Sequence, residues 1–460
     1  MTEIKCVSPI NDEVYVTRQA MTKDEALSRI ERSKAAGKAW AARPVAERRD
    51  LVVKAIKQLA THRDESALAV ANMMGRPKDL FFEFNGCIER AEYMAKIAED
   101  TLKPIVTEDS DRFERRIEKE PVGVVFIVAP WNYPFLTTIN SLVPALIAGN
   151  SVIMKHAAQT LIAGEFIVKA FEEVGFPVDV LQNVFFDHST TSELIGEGHF
   201  GFVNFTGSVG GGQAMERAAA GTFTAVGTEL GGKDPAYVMD DANLDAAVAT
   251  LMDGAFFNAG QCCCGIERVY VHESKFDEFV EKAVAEVNKL KLGNPLEEGT
   301  TLGPMANVRF AQEVRDQVKE AIADGATALI DPANFPADDG GAYLAPQILV
   351  DVTHDMRVMR DESFGPVVGI MKVSSDEEAI ELMNDSEFGL TVSLWTEDAD
   401  RASKIGTQVE TGTVFMNRCD YLDPAVCWTG CKNTGRGATL SVLGYNSLTR
   451  PKSYHLKKVL

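Results

Sequence analysis

No run of about 18 consecutive apolar residues occurs in this 460-residue chain, so it lacks anything with the length and character of a membrane-spanning helix. Positive charge is in deficit: 46 Lys and Arg stand against 67 Asp and Glu, a formal net charge of −21. A surface of that sign argues against nucleic acids and anionic membranes as partners. Cysteine is scarce as well. Eight in a chain of this length do not make a disulfide framework. Cys419, Cys427 and Cys431 contain no Cys-x-x-Cys pair and have no histidine nearby, so no metal is expected there. Internal repeats and low-complexity tracts are absent. The opening residues, Met1 to Cys6, show neither the apolar core of a signal peptide nor an Arg-rich transit pattern, and a cytoplasmic location is expected.

What is present is a globular composition, 45% hydrophobic and 25% charged, in a chain long enough for two or three domains. From Pro121 onward short β-rich runs alternate with amphipathic ones. Val122 to Ala129, Ser151 to Met154 and Gly201 to Phe205 read as buried parallel strands, and Leu161 to Val174 as a helix between two of them. This alternation predicts a parallel sheet covered by helices on both faces. A second α/β unit is expected after Cys263. Its clearest helix places Phe276, Phe279, Val280, Ala283, Val284 and Val287 on one face. The charged stretch Asp111 to Glu120 leaves little apolar surface for a sheet core and reads as an edge or protruding strand. Residues 335–341 read as an exposed loop.

Two residues set among glycines carry the chemistry. Glu229 lies in Thr228-Glu229-Leu230-Gly231-Gly232-Lys233, and Cys263 lies in Gly260-Gln261-Cys262-Cys263-Cys264. A carboxylate base and a thiol nucleophile are the two parts needed to form and then hydrolyse a thioester. Glu229 ends an apolar run and meets two glycines, a setting whose partial burial raises a carboxyl toward the range useful for a base. Asn132, in Pro130-Trp131-Asn132-Tyr133-Pro134, follows a strand and could donate a hydrogen bond to an oxyanion. Gly207-Ser208-Val209-Gly210-Gly211-Gly212 ends another strand before a helical run read as Gln213 to Ala220. Glycines placed so let a pyrophosphate approach a helix N-terminus.

Together these blocks resemble the aldehyde dehydrogenase superfamily, from about Val7 to the last residues. The resemblance implies a Rossmann-like α/β cofactor domain over 1–102 and 122–231 and a catalytic α/β domain over 232–436. It also implies a small β oligomerisation arm over 103–121 and 437–460, and hence a homodimer or homotetramer. It selects Cys263, two residues after the glutamine, as nucleophile, Glu229 as the base that activates water, and Asn132 as oxyanion donor. The nearest different chemistry, acyl transfer to coenzyme A, belongs to relatives that lack the glutamate. The cofactor implied is NAD or NADP. Its site is expected to comprise Trp131, Lys155, Ala158, Gly207, Ser208, Gly212, Leu230, Glu362 and Phe364. Ala158 stands where NAD-preferring members often carry a glutamate, so NADP should be tolerated or preferred. Phe185-Phe186-Asp187-His188-Ser189 replaces a Gly/Pro-rich loop at the adenine pocket.

Several departures bear on the substrate. The family's proton-relay Lys/Glu pair is replaced by Ser141 and Thr439, which suggests a relay through water or hydroxyls. Relatives acting on succinic semialdehyde often carry an arginine eight residues after the catalytic asparagine; here that residue is Asn140, and Arg418 is the only substitute evident in the sequence. The remaining mouth residues, Tyr133, Phe257, Tyr421, Leu422 and Trp428, favour a neutral aldehyde with an apolar or aromatic body. A semialdehyde dehydrogenase with an altered carboxylate site is the alternative enzyme. A non-catalytic protein that kept the fold is the alternative from another class.

Overall fold

The computed structural model describes residues 2–338 and 340–459. Two parallel sheets organise the molecule. The first has five strands in the order Leu181–Asn183, Ser151–His156, Val124–Ala129, Phe202–Thr206 and Ala225–Glu229, all parallel. Period-two alternation buries both of its faces. Val125, Ile127, Val152 and Met154 pack into the core on one side, and Val124, Phe126, Val128 and Ile153 into the core on the other. The expected strands are all present. That at Ser151 runs two residues further, to His156, and so includes Lys155.

The second sheet has seven strands in the order Thr327–Ala328, Gln347–Val350, Val367–Val373, Ile266–His272, Asp234–Val238, Thr391–Trp395 and Thr413–Met416. Only the short edge pair is antiparallel. This unit begins at Asp234, ahead of Cys263, because the chain leaves the first sheet at Glu229 and enters the second five residues later. The helix Phe276–Val287 forms as predicted, with Phe279, Ala283 and Val287 buried.

A third, antiparallel sheet pairs Ile105–Asp109, Phe113–Pro121 and Thr449–Lys457, joining the charged stretch to the C-terminal strand. Two local expectations change. The helix after the glycines spans Val209–Ala219, not Gln213 onward, so Gly210, Gly211 and Gly212 form its first turn. The Ser208 hydroxyl caps it by accepting from Gly211 N–H at 3.2 Å, offsetting the poor helix propensity of glycine. In the expected loop 335–341, Phe335 is an anchor, 2% exposed in the core of the second unit. Asp338 accepts from Arg315 at 3.0 Å, and Asp339 lies outside the described residues.

Candidate active site

The carboxyl ends of parallel strands, where α/β sheets bind ligands, carry most of the residues singled out in the sequence. Asn132 follows Val124–Ala129, Lys155 lies near the end of Ser151–His156, Gly207 follows Phe202–Thr206, and Glu229 is the last residue of Ala225–Glu229. Cys263 comes from the second unit. The two meet at Gly232, where a Cβ would sit 2.5 Å from the Cys263 carbonyl oxygen; only glycine permits this approach.

The nucleophile loop is held in an unusual backbone. Asn258, Ala259 and Gly260 are all left-handed, with φ of 55°, 56° and 69°. A side chain at Gly260 would strike the Gly365 carbonyl oxygen at 2.2 Å. Non-glycine residues in this region cost of order 1–3 kcal/mol each and persist where surrounding contacts fix them. Asn258 Nδ2 donates to Gln261 O at 3.1 Å, Gln261 Nε2 to Asn258 O at 3.0 Å, and Ala306 N–H to Gln261 Oε1 at 2.8 Å. Gln261 is therefore the clasp of the loop.

The three thiols differ. Cys262 and Cys264 are buried, 6% and 1% exposed, and their sulfurs approach Asp420 Oδ1 at 3.4 and 2.9 Å. Cys263 is the one that retains access. Interaction with the Cys262 thiol, then with that of Cys264, lowers its pKa to about 6, against the opposing effect of burial. Cys262 shifts the other way, to about 12. The trio thus places its negative charge on the accessible sulfur, the reactive form of a cysteine. Cys262, Cys264 and Asp420 also group three potential metal-ligating atoms within 4.8 Å, a cluster distinct from the Cys419, Cys427 and Cys431 set weighed in the sequence. Cys419 and Cys431 instead contact the separate carbonyls of Thr250 and Gly389.

The Glu229 carboxylate is held at both oxygens. Thr439 Oγ1 donates to Oε1 at 2.6 Å and Thr206 Oγ1 to Oε2 at 3.2 Å, while burial raises its pKa. A hydroxyl thus occupies the place left by the missing relay glutamate. Asn132 is 4% exposed, and its side-chain amide makes no hydrogen bond among the described residues. Its loop is fixed through the backbone. Arg76 donates to the Asn132 carbonyl, to Asn258 Oδ1 at 3.0 Å and to Glu83 Oε1 at 2.7 Å, with its guanidinium 4.4 Å over the Tyr133 ring. Glu83 in turn accepts from Phe135 and Leu136 N–H, both at 2.9 Å, at the start of the helix Leu136–Ile147. One buried ion pair therefore ties the asparagine loop to the nucleophile loop. Arg76→Met, which strands Glu83, should lower stability by about 3–5 kcal/mol in urea unfolding.

The residues expected at the cofactor site are placed as follows. Val209 and Gly210 sit at an N-terminus whose remaining donors are partly satisfied by Ser208, and a Cβ at Gly210 would meet open space. Gly207 and Gly212 pack too closely on Phe205 and Leu230 for a side chain to enter without displacing them. Burial lowers the pKa of Lys155, and the charge of Asp187 opposes that shift. Ala158 is exposed at the first position of the turn Ala158–Thr160. On the other side of the glycines, Glu362 accepts from Gly232 N–H at 3.1 Å and would overlap any Cβ at Gly231. Burial, reinforced by the charge of Glu267, pushes Glu362 up to about 8. Phe364, left-handed at φ 49°, donates its N–H to Glu267 at 2.9 Å and packs edge-on to Trp131, which also stacks on Phe310. A glycine-lined helix start, a lysine at a strand end and a carboxyl set against Gly232 fit a dinucleotide spanning from the first sheet to Cys263.

The residues expected at the mouth make the following contacts. Tyr133, Leu422 and Trp428 pack in one cluster with Cys262, Cys263 and Cys264, and Phe257 stacks on Phe82. Tyr421 donates to Glu89 at 2.6 Å. Arg418 is exposed with its guanidinium over the Tyr421 ring at 3.8 Å, at the outer rim. Besides Arg76, a second buried arginine, Arg90 from the helix Glu83–Leu102, donates to Asn140 Oδ1 at 2.8 Å. Arg76, Glu83, Arg90 and Asp420 were all invisible as site residues in the sequence, since each reaches the site only through packing of distant segments.

The aldehyde dehydrogenase family model matches residues 1–454. An aldehyde dehydrogenase of Paenarthrobacter nicotinovorans is 33% identical over 98% of this chain and 99% of its own. The succinate semialdehyde dehydrogenase [NAD(P)+] Sad of Escherichia coli K12 is 32% identical over 84% of each chain. The solved succinic semialdehyde dehydrogenase of Streptococcus pyogenes, in complex with NADP+, superposes with a TM-score of 0.93 at 28% identity, covering 99% of this chain and 100% of that one. The chain therefore belongs to the aldehyde dehydrogenase family, as an NAD(P)-dependent enzyme that oxidises an aldehyde to its carboxylic acid.

Proposed function

We propose that Cys263, Asn132 and Glu229 perform this oxidation in two stages. The Cys263 thiolate attacks the aldehyde carbon, and the Asn132 amide, which makes no hydrogen bond among the described residues, donates to the oxygen that gains the charge. Bound NAD(P) would supply the acceptor for the hydride that leaves the aldehyde carbon. Cys263 is left acylated as a thioester, and Glu229 takes a proton from the water that hydrolyses it. Thr439 and Thr206 orient the carboxylate for that step. The observation that carries this reading is the arrangement around Gly231-Gly232, which bears Glu229 upstream, Cys263 packed on one glycine and Glu362 hydrogen-bonded to the same N–H. Assay of an aldehyde panel with NAD and NADP tests it: acid and reduced cofactor should form in equal amounts, and a chain that forms neither is a fold without the activity.

The cofactor residues proposed are Trp131, Lys155, Ala158, Gly207, Ser208, Gly212, Leu230, Glu362 and Phe364. With Ala158 exposed and Lys155 two residues upstream of Ala157, no carboxylate at this position repels a 2′-phosphate. NADP should serve with an efficiency comparable to or better than NAD. Ala158→Glu should shift preference toward NAD by about 1–3 kcal/mol, the size of one charged contact, and kcat/KM for both cofactors on both proteins decides the matter. A wild type that strongly rejects NADP contradicts the assignment. The domain limits proposed are 1–102 with 122–231, 232–436, and 103–121 with 437–460, a reading supported by the grouping of the strands in the three larger sheets. The three-stranded sheet is the arm through which a homodimer or homotetramer would form. A cytoplasmic location accords with eight unpaired cysteines.

A further inference from the structure

Arg90 is a buried cation without a counter-ion. It is 5% exposed and lies among no ion pairs of the described residues. Only Nη1 is engaged, donating to Leu136 O at 3.1 Å and to Asn140 Oδ1 at 2.8 Å. Among the described residues Nε and Nη2 make no hydrogen bond. Beside it the Asn140 amide nitrogen, on a residue 1% exposed, has no partner either. A buried cation without a counter-ion is costly, and a buried amide N–H without an acceptor adds to that cost. The position is not remote from the chemistry. The charge of Arg90 acts on Glu229, and the charges of Glu229 and Cys264 act on Arg90. Both acids nearest in this sense are already engaged elsewhere: Glu229 with Thr439 and Thr206, and Glu89 with Tyr421. The unsatisfied donors of Arg90 and Asn140 therefore point to an acceptor that the protein does not supply.

We propose that Arg90 and Asn140 form an anion subsite, so that the substrate is an aldehyde carrying a carboxylate. This rests on the aldehyde-oxidising function proposed above and replaces the neutral aldehyde expected from the sequence. The guanidinium comes from the helix Glu83–Leu102 and Asn140 from the helix Leu136–Ile147 packed against it, so charge and amide converge on one carboxylate from two elements. Two N–H donors from arginine and one from asparagine match the lone pairs of that group.

Matched aldehydes with and without a terminal carboxylate test the subsite: succinic semialdehyde against butanal, and 4-carboxybenzaldehyde against benzaldehyde. Wild type should favour the carboxylated member of at least one pair, mainly through KM. Arg90→Met should reduce that preference by roughly 10- to 100-fold, as expected for losing a charge-assisted hydrogen bond, and Arg90→Lys should restore part of it. Asn140→Leu, which keeps the guanidinium, should lower the same ratio less; it serves also if Arg90→Met does not fold. Equal losses on both members of each pair would make Arg90 a structural clamp between two helices and overturn the subsite. A wild type indifferent to the carboxylate in both pairs overturns it without any variant. Failure to oxidise any of the four would instead strike the proposed function itself.

Discussion

Cys263→Ala is expected to abolish aldehyde oxidation, by at least ~10⁴-fold in kcat, while cofactor binding and the folded state persist. The side chain is small, partly accessible and outside the main cores, so truncation leaves no large cavity. Cys262→Ala and Cys264→Ala should retain most activity, because their sulfurs face Asp420. Each should nevertheless raise the pH at which Cys263 ionises, since each removes one of the thiols that hold it near 6. The thiolate is the active form, so the acid limb of kcat/KM would move to higher pH in these variants. Initial rates across pH, with binding of reduced cofactor followed by fluorescence, check both parts. A dead Cys262→Ala enzyme with an active Cys263→Ala enzyme would move the nucleophile by one residue.

The parts of this account that were legible in the sequence are those set by neighbours along the chain. Val124–Ala129 alternates between two cores with period two, and its β-branched run announced that. Glu229 and Cys263 were visible because glycines, which permit close approach at Gly232 and Gly260, mark both loops. The helix start at Val209 was misplaced because three glycines argue against helix, whereas the Ser208 cap and the packing of Gly212 on Leu230 decide for it. Arg76, Glu83 and Arg90 carry no local signal of their part in the site. Their burial depends on Asn132, Asn258 and Asn140, residues 50 to 182 positions away, and no local period encodes such pairings. The sequence reading of the substrate weighed the cations near the mouth along the chain and so did not include Arg90, which a distant helix supplies.

Glu229→Gln should separate the two chemical stages. Hydride transfer precedes hydrolysis, so one equivalent of reduced cofactor per active site should still form rapidly. Steady-state turnover should fall by about 10²–10⁴-fold, the usual contribution of a positioned general base. Glutamine can still accept from Thr439 through its carbonyl oxygen, while its NH2 donates to a turned Thr206 hydroxyl, so the loss is one of basicity more than of position. In the wild type, burial raises the pKa of Glu229. A base acts deprotonated, so the acid limb of the deacylation rate should lie above the ordinary carboxylate range. That limb should vanish in Glu229→Gln.

The same variant permits the most direct measurement of the proposed mechanism. Glu229→Gln is mixed with aldehyde and oxidised cofactor, quenched in acid after the burst, digested and analysed by mass spectrometry. The account predicts an acyl group, the aldehyde mass less one hydrogen, in thioester linkage to Cys263, stoichiometric with the reduced cofactor and cleaved by hydroxylamine. A burst with no acyl enzyme, or an acyl group carried by Cys262 or Cys264, would contradict it.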